Sequence, residues 1–163
     1  MQVTMPKYAR PVGKLNFGGA EYVDLQGADM SRVSGIQSVH VLNLSNTYGL
    51  RGNWNFSQFD KVFLCNANLS KVKYLQGAKI MSFYGVNGLH GVIDLTNTER
   101  AHFLDVDFLN VKNVLCRINT VLSGLDSCTN WQGKIKYSCI DPVSENENIQ
   151  AFIARIIKAN QRG

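Results

Sequence analysis

The sequence holds no apolar run near the roughly 18 residues that a membrane-spanning helix needs. Among its 163 residues there are only 3 Pro and 3 His. The stretch 1–15 is broken by Pro6 and Pro11 and has no continuous apolar segment, so the pattern of a cleaved secretory signal is missing. The expected address is therefore the cytoplasm, or export without such a signal. The 4 Cys stand at 65, 116, 128 and 139. No two of them form a C-x-x-C pair and no His joins them at zinc-ligand spacing, so no zinc site is recognisable and reduced, mostly buried thiols are expected. A bridge between Cys128 and Cys139 is the lesser reading. Charge of one sign is also scarce: 12 acidic residues stand against 17 basic ones, for a net charge of +5. That balance excludes an acidic mimic of DNA. The Lys and Arg look scattered along the chain, so their excess is read as solvated surface and nucleic acid is not an expected partner.

Catalytic signatures are equally thin. His40, His90 and His102 have no companions at ligand spacing, and no Ser or Cys sits in a nucleophile motif. Gly85-x-x-Gly88-x-x-Gly91 lacks the Lys-Ser/Thr of a phosphate loop. No catalytic residue, metal or cofactor is expected, and the chain reads as a non-enzyme.

What the sequence does have is 45% hydrophobic residues in a repeating order. Val23-Asp-Leu25-Gln-Gly-Ala28-Asp-Met30-Ser31-Arg32-Val33 and Val62-Phe-Leu64-Cys-Asn-Ala67-Asn-Leu69-Ser70-Lys71-Val72 share the template V-x-L-x-x-A-x-(L/M)-S-(R/K)-V. Weaker copies start at Val39, Met81 and Leu104, and a degenerate one lies between Val114 and Leu125. Starts at 23, 39, 62, 81 and 104 average about 20 residues apart, a solenoid spacing. Alternation in V-x-L points two side chains inward from one short strand. A small Ala fits a tight corner, and the next Leu or Met re-enters the core. Such a coil cannot bury its own apolar side, but stacked coils cover one another. Thr47 to Ser57, with Gly49, Gly52 and several Asn, reads as a loop. Asn43-Leu-Ser45, Asn55-Phe-Ser57 and Asn68-Leu-Ser70 match glycosylation sequons but read better as turn residues.

Over about residues 20 to 125 this pattern resembles leucine-rich repeats. Ala28, Ala67 and Val86 stand where that family usually has Asn, and Ala28-Asp29-Met30-Ser31-Arg32 and Ala67-Asn68-Leu69-Ser70-Lys71 are similar to pentapeptide-repeat units. The expected fold is a β-solenoid of five to six coils of about 20 residues with a C-terminal capping α-helix. Residues 1–13 are expected to be an irregular lead-in, 14–140 the solenoid and 141–163 the cap, all in one domain. The cap is read from Ser144 and Glu147 as a capping box, followed by Ile149, Phe152, Ile153, Ile156 and Ile157 on one helical face.

Residues flanking the inward positions should point outward, and the aromatic ones among them, Tyr22, Phe63, Tyr84 and Phe103, are suited to binding hot spots or to a stabilising ladder. Asp24, His40, Asp105 and Asp107 complete the candidate face. The resulting expectation is a non-catalytic module that binds a protein partner. Two others stand beside it: a carbohydrate-binding or carbohydrate-active β-helix using Asp105 and Asp107, and a structural segment of a longer array that self-associates through a solenoid end.

Overall fold

A computed structural model describes residues 1–139. Within them the chain winds into a parallel β-solenoid of about seven turns, each turn contributing one strand to each of two long sides. The strands, in chain order, are β1 (Gln2–Thr4), β2 (Gly13–Leu15), β3 (Tyr22–Asp24), β4 (Val33–Ile36), β5 (Val41–Asn43), β6 (Arg51–Asn55), β7 (Lys61–Phe63), β8 (Lys71–Gln76), β9 (Ile80–Tyr84), β10 (Gly91–Leu95), β11 (Arg100–Leu104), β12 (Val111–Arg117), β13 (Val121–Ser123) and β14 (Ile135–Cys139). Odd-numbered strands from β1 to β13 form one seven-stranded parallel sheet. On the second side β6, β8, β10, β12 and β14 form a five-stranded sheet, and β2 pairs with β4 in a separate two-stranded one. A short third side is marked by single bridges such as Asp29 to Tyr48 and Asn68 to Asn87.

The registers give the true repeat. Val23, Leu42, Val62, Met81, Ala101 and Leu122 stand opposite one another in the first sheet. Successive steps are 19, 20, 19 and 20 residues before a last one of 21, so Val23, Val62 and Ala101 lie 39 residues apart. The unit is thus a double coil. Its two halves differ at the third side: Asp29-Met30-Ser31 and Asn68-Leu69-Ser70 lack the extra Gly found in Tyr48-Gly49-Leu50 and Asn87-Gly88-Leu89. Left-handed corners recur in every coil, at Gly27, Asn46, Asn66, Gly85, Asp105 and Gly124 (φ 74°, 57°, 55°, 58°, 53° and 80°).

Each interior position is a column. Leu25, Leu44, Leu64, Phe83 and Phe103 are all fully buried. Phe83 and Phe103 stack with ring centroids 4.8 Å apart and planes 7° apart. The corner column runs Ala28, Thr47, Ala67, Val86, Val106, and the re-entry column Met30, Leu50, Leu69, Leu89, Phe108, all buried. A fourth column ends in two buried threonines, each bonded to the backbone of the coil before it. Thr98 Oγ1 donates to the Ala78 carbonyl at 2.7 Å, and Thr120 Oγ1 to the Thr98 carbonyl at 3.0 Å. No buried side-chain polar atom among the described residues lacks a partner, as an interior of this dielectric requires. The sequons are turns: the side-chain oxygens of Asn43, Asn55 and Asn68 accept the backbone N–H of Ser45, Ser57 and Ser70 at 3.0, 2.9 and 3.0 Å.

Several expectations change. Seven turns replace five to six. Gln2–Thr4, expected in an irregular lead-in, forms β1 and pairs with β3. The expected loop Thr47 to Ser57 contains β6. The copies placed at Val39 and Leu104 start instead at Leu42 and Ala101, a slip of three residues in each case. The expected capping helix lies outside the described residues.

Candidate functional site

In the first sheet, side chains on either side of each inward residue face out. In β3, Tyr22 and Asp24 flank buried Val23; in β7, Lys61 and Phe63 flank buried Val62. Three of the four candidate aromatics lie on this outer face. Tyr22 and Phe63 are half-buried and Tyr84 is 40% exposed. Phe103 is not among them. It is fully buried between Phe83 and Phe108, because the inward positions of β11 are Ala101 and Phe103, of opposite parity to a coil starting at Leu104. Correct registers add the outward residues Val41 and Leu104, both half-buried, and Val121, 56% exposed; Ile80, already outward for a coil starting at Met81, is half-buried as well. The signal that finds them is the offset of 39 residues from Val23 through Ala101, which lengthens to 41 from Met81 to Leu122 and so keeps the same parity.

Asp24 belongs to the face but is engaged within it. Its Oδ1 accepts the Gln26 N–H at 2.9 Å and the Asn43 side-chain amide at 3.1 Å. His40 sits one corner away, just before β5. Its Nδ1 is 2.5 Å from Asp60 Oδ2, while Lys79 Nζ donates to Asp60 Oδ1 at 2.7 Å. The hydrogen bond from Lys79, then that from His40, hold the Asp60 carboxyl down at about 2. The same bond raises the Lys79 ammonium above its ordinary range. Glu21, His40, Asp60, Lys79 and Glu99 occupy equivalent corners of successive coils, so acidic and basic residue types alternate down this edge. A depression of about 300 Å³ opens beside His40 and Asp60.

Asp105 and Asp107 do not form a pair on one strand. Asp105 occupies a left-handed corner (φ 53°) and Asp107 the third side, with buried Val106 between them. Asp107 is committed to structure: its Oδ1 accepts the Asn130 amide at 2.8 Å and the Leu109 N–H at 2.9 Å. These bonds, Asn130's first, lower its pKa. Among the described residues no group of three or more His, Cys, Asp or Glu could hold a metal ion. Cys65, Cys116 and Cys128 are free thiols. The Cys65 sulfur approaches Ser82 Oγ at 3.5 Å, and burial pushes the Cys116 thiol up to about 12. No described helix is long and apolar enough to cross a membrane.

Compared with models of protein families, with curated proteins and with solved structures, the chain matches none.

Proposed function

We propose that the chain is a non-catalytic protein-binding module that offers the outer face of its seven-stranded sheet to a macromolecular partner, in the manner of leucine-rich repeats. One observation carries this reading. The outward positions of that sheet carry Tyr22, Val41, Phe63, Ile80, Tyr84, Leu104 and Val121; Tyr22 stands opposite Val41 and Tyr84 opposite Leu104, while Lys61 lies between Val41 and Ile80 and Arg100 between Ile80 and Val121. Isolated exposed apolar residues need no explanation, whereas clusters of them on a rigid surface mark an interaction site. Aromatic side chains on such a scaffold add contact area at little entropic cost. His40 and Asp24 lie at the rim, where polar groups set orientation.

The test compares affinity capture by the wild-type protein with capture by a Tyr22→Ser/Phe63→Ser/Tyr84→Ser variant that retains its melting temperature. Phe103 is left intact because its loss would act on the core. A protein held by the wild type and released by the variant supports the reading. Equal retention by both overturns it.

A further inference from the structure

The second sheet has the opposite chemistry. Its five hydrogen-bonded strands β6, β8, β10, β12 and β14 carry Arg51, Lys71, Lys73, Lys112, Arg117 and Lys136 against a single acid, Asp94. All six cations are exposed, and none has an ion-pair partner among the described residues. In sequence they are spread over 85 residues, from Arg51 to Lys136. Stacking gathers them, and Arg51 and Lys71 stand directly opposite each other in adjacent strands. Asp94 is already engaged: Tyr74 Oη donates to its Oδ2 at 2.6 Å, and Thr96 Oγ1 to its Oδ1 at 2.6 Å. Outward amides stand among the cations: Asn53 opposite Tyr74, Gln76 opposite Asn55 and Asp94, and Asn113 opposite Val92.

We infer that this sheet binds the phosphodiester backbone of a nucleic-acid duplex without reading its sequence. Three features of the face select that partner. The first is unpaired positive charge spread over β6, β8, β12 and β14, with β10 between them carrying none. Strands about 4.8 Å apart make five strands span roughly 19 Å, or between five and six base pairs at about 3.4 Å each. The second is the side-chain set, since Lys and Arg together with Asn and Gln are the donors that contact phosphate oxygens and sugars. The third is what the face omits. None of the exposed large hydrophobic residues among those described lies on these strands. Trp54 is buried, and the Tyr74 hydroxyl is tied to Asp94. The outward apolar residues of this sheet, Tyr74, Val92 and Leu115, are half-buried rather than exposed, so the face offers little for stacking unpaired bases or for entering a lipid interface.

The test uses the full chain and fluorescence anisotropy with a labelled duplex of about 20 base pairs, as DNA and as RNA, titrated at several salt concentrations from about 50 mM upward. A Lys71→Gln/Lys73→Gln/Lys112→Gln variant is compared with Lys7→Gln/Lys61→Gln/Arg100→Gln, which removes equal charge elsewhere. Both are first shown to melt like the wild type. The first variant should lower the slope of log affinity against log salt by about one for each lysine removed and weaken binding of every duplex sequence alike. The second should leave the slope nearly unchanged. The inference fails if neither duplex binds at the lowest salt, or if the two variants lose affinity equally. It also fails if vesicles containing phosphatidylserine bind through these lysines and neither duplex competes. Because the cations and the apolar clusters lie on different sheets, either binding reading can fail without the other.

Discussion

Glycines at one repeat position separate the intrinsic cost of a left-handed backbone from the cost of stacking. Gly52 and Gly91 lie 39 residues apart and adopt nearly the same conformation, φ 75° and 73°. A Cβ added at Gly52 meets nothing within 4 Å, whereas one at Gly91 would lie 2.2 Å from the Lys73 carbonyl oxygen. The difference follows from the second side, where β4 and β6 belong to different sheets while β8 and β10 are paired. A left-handed L-residue costs about 1–2 kcal/mol, and the stiffer unfolded chain returns up to about 1 kcal/mol of that. Gly52→Ala should therefore destabilise by about 1 kcal/mol. Gly91→Ala incurs the same cost plus displacement of a backbone carbonyl, which overpacking data put at about 1–3 kcal/mol. For a chain of this length about 1 kcal/mol shifts Tm by roughly 2–4 °C. Thermal melts of the two variants should thus differ by at least a few degrees, with Gly91→Ala the lower. A Gly91→Ala shift no larger than that of Gly52→Ala would refute the claim that the coils touch at this position.

Other positions test the columns. Leu64→Ala should cost roughly 2–5 kcal/mol and Phe103→Ala about 3–5 kcal/mol in denaturant titrations, both being fully buried; an unchanged midpoint for Phe103→Ala would return it to the surface. Thr98→Val keeps the shape but removes the bond to the Ala78 carbonyl, and should cost about 1 kcal/mol by the same measurement. Under native conditions a thiol reagent should modify half-buried Cys65 well before Cys116, whose thiol burial raises to about 12. Asp60 titrates at about 2 when folded against an ordinary 3.8, so its pairing stabilises the fold above about pH 4 and that contribution fades as pH falls toward 2. Melting Asp60→Asn beside the wild type should show a gap at neutral pH that closes by about pH 2.

The strongest match in the sequence was legible because two constraints coincide in it: inward side chains alternate along a strand, and the corner has room only for a small residue. Val23 to Val33 and Val62 to Val72 satisfy both and lie one full double coil apart. The slips have equally local causes. Val39 is a buried residue of the preceding corner, equivalent to Ala20 and Phe59, and with half-buried Val41 it imitates an inward pair. In β11 the inward residues are Ala101 and Phe103, and Ala101 is too small to stand out beside Leu104 and Val106. The first coil escaped notice because β1 carries one apolar residue, Val3. The cationic sheet was illegible for another reason. Its members are separated by up to a coil's length or more of chain, and only the stacking register brings them onto one surface.

Alternating coils also impose a parity on the chain. Asn55 and Asp94 occupy equivalent places, each accepting the N–H two residues ahead, from Ser57 and Thr96. A deletion of residues 55–93 would join Trp54 to Asp94 and rebuild the same turn at the seam. Removing one coil of 19 or 20 residues would instead set two coils of the same kind against each other, with the third-side glycine doubled or missing. Variation in the length of such a molecule is thus confined to even steps, and a lineage built on it would grow or shrink by pairs of coils.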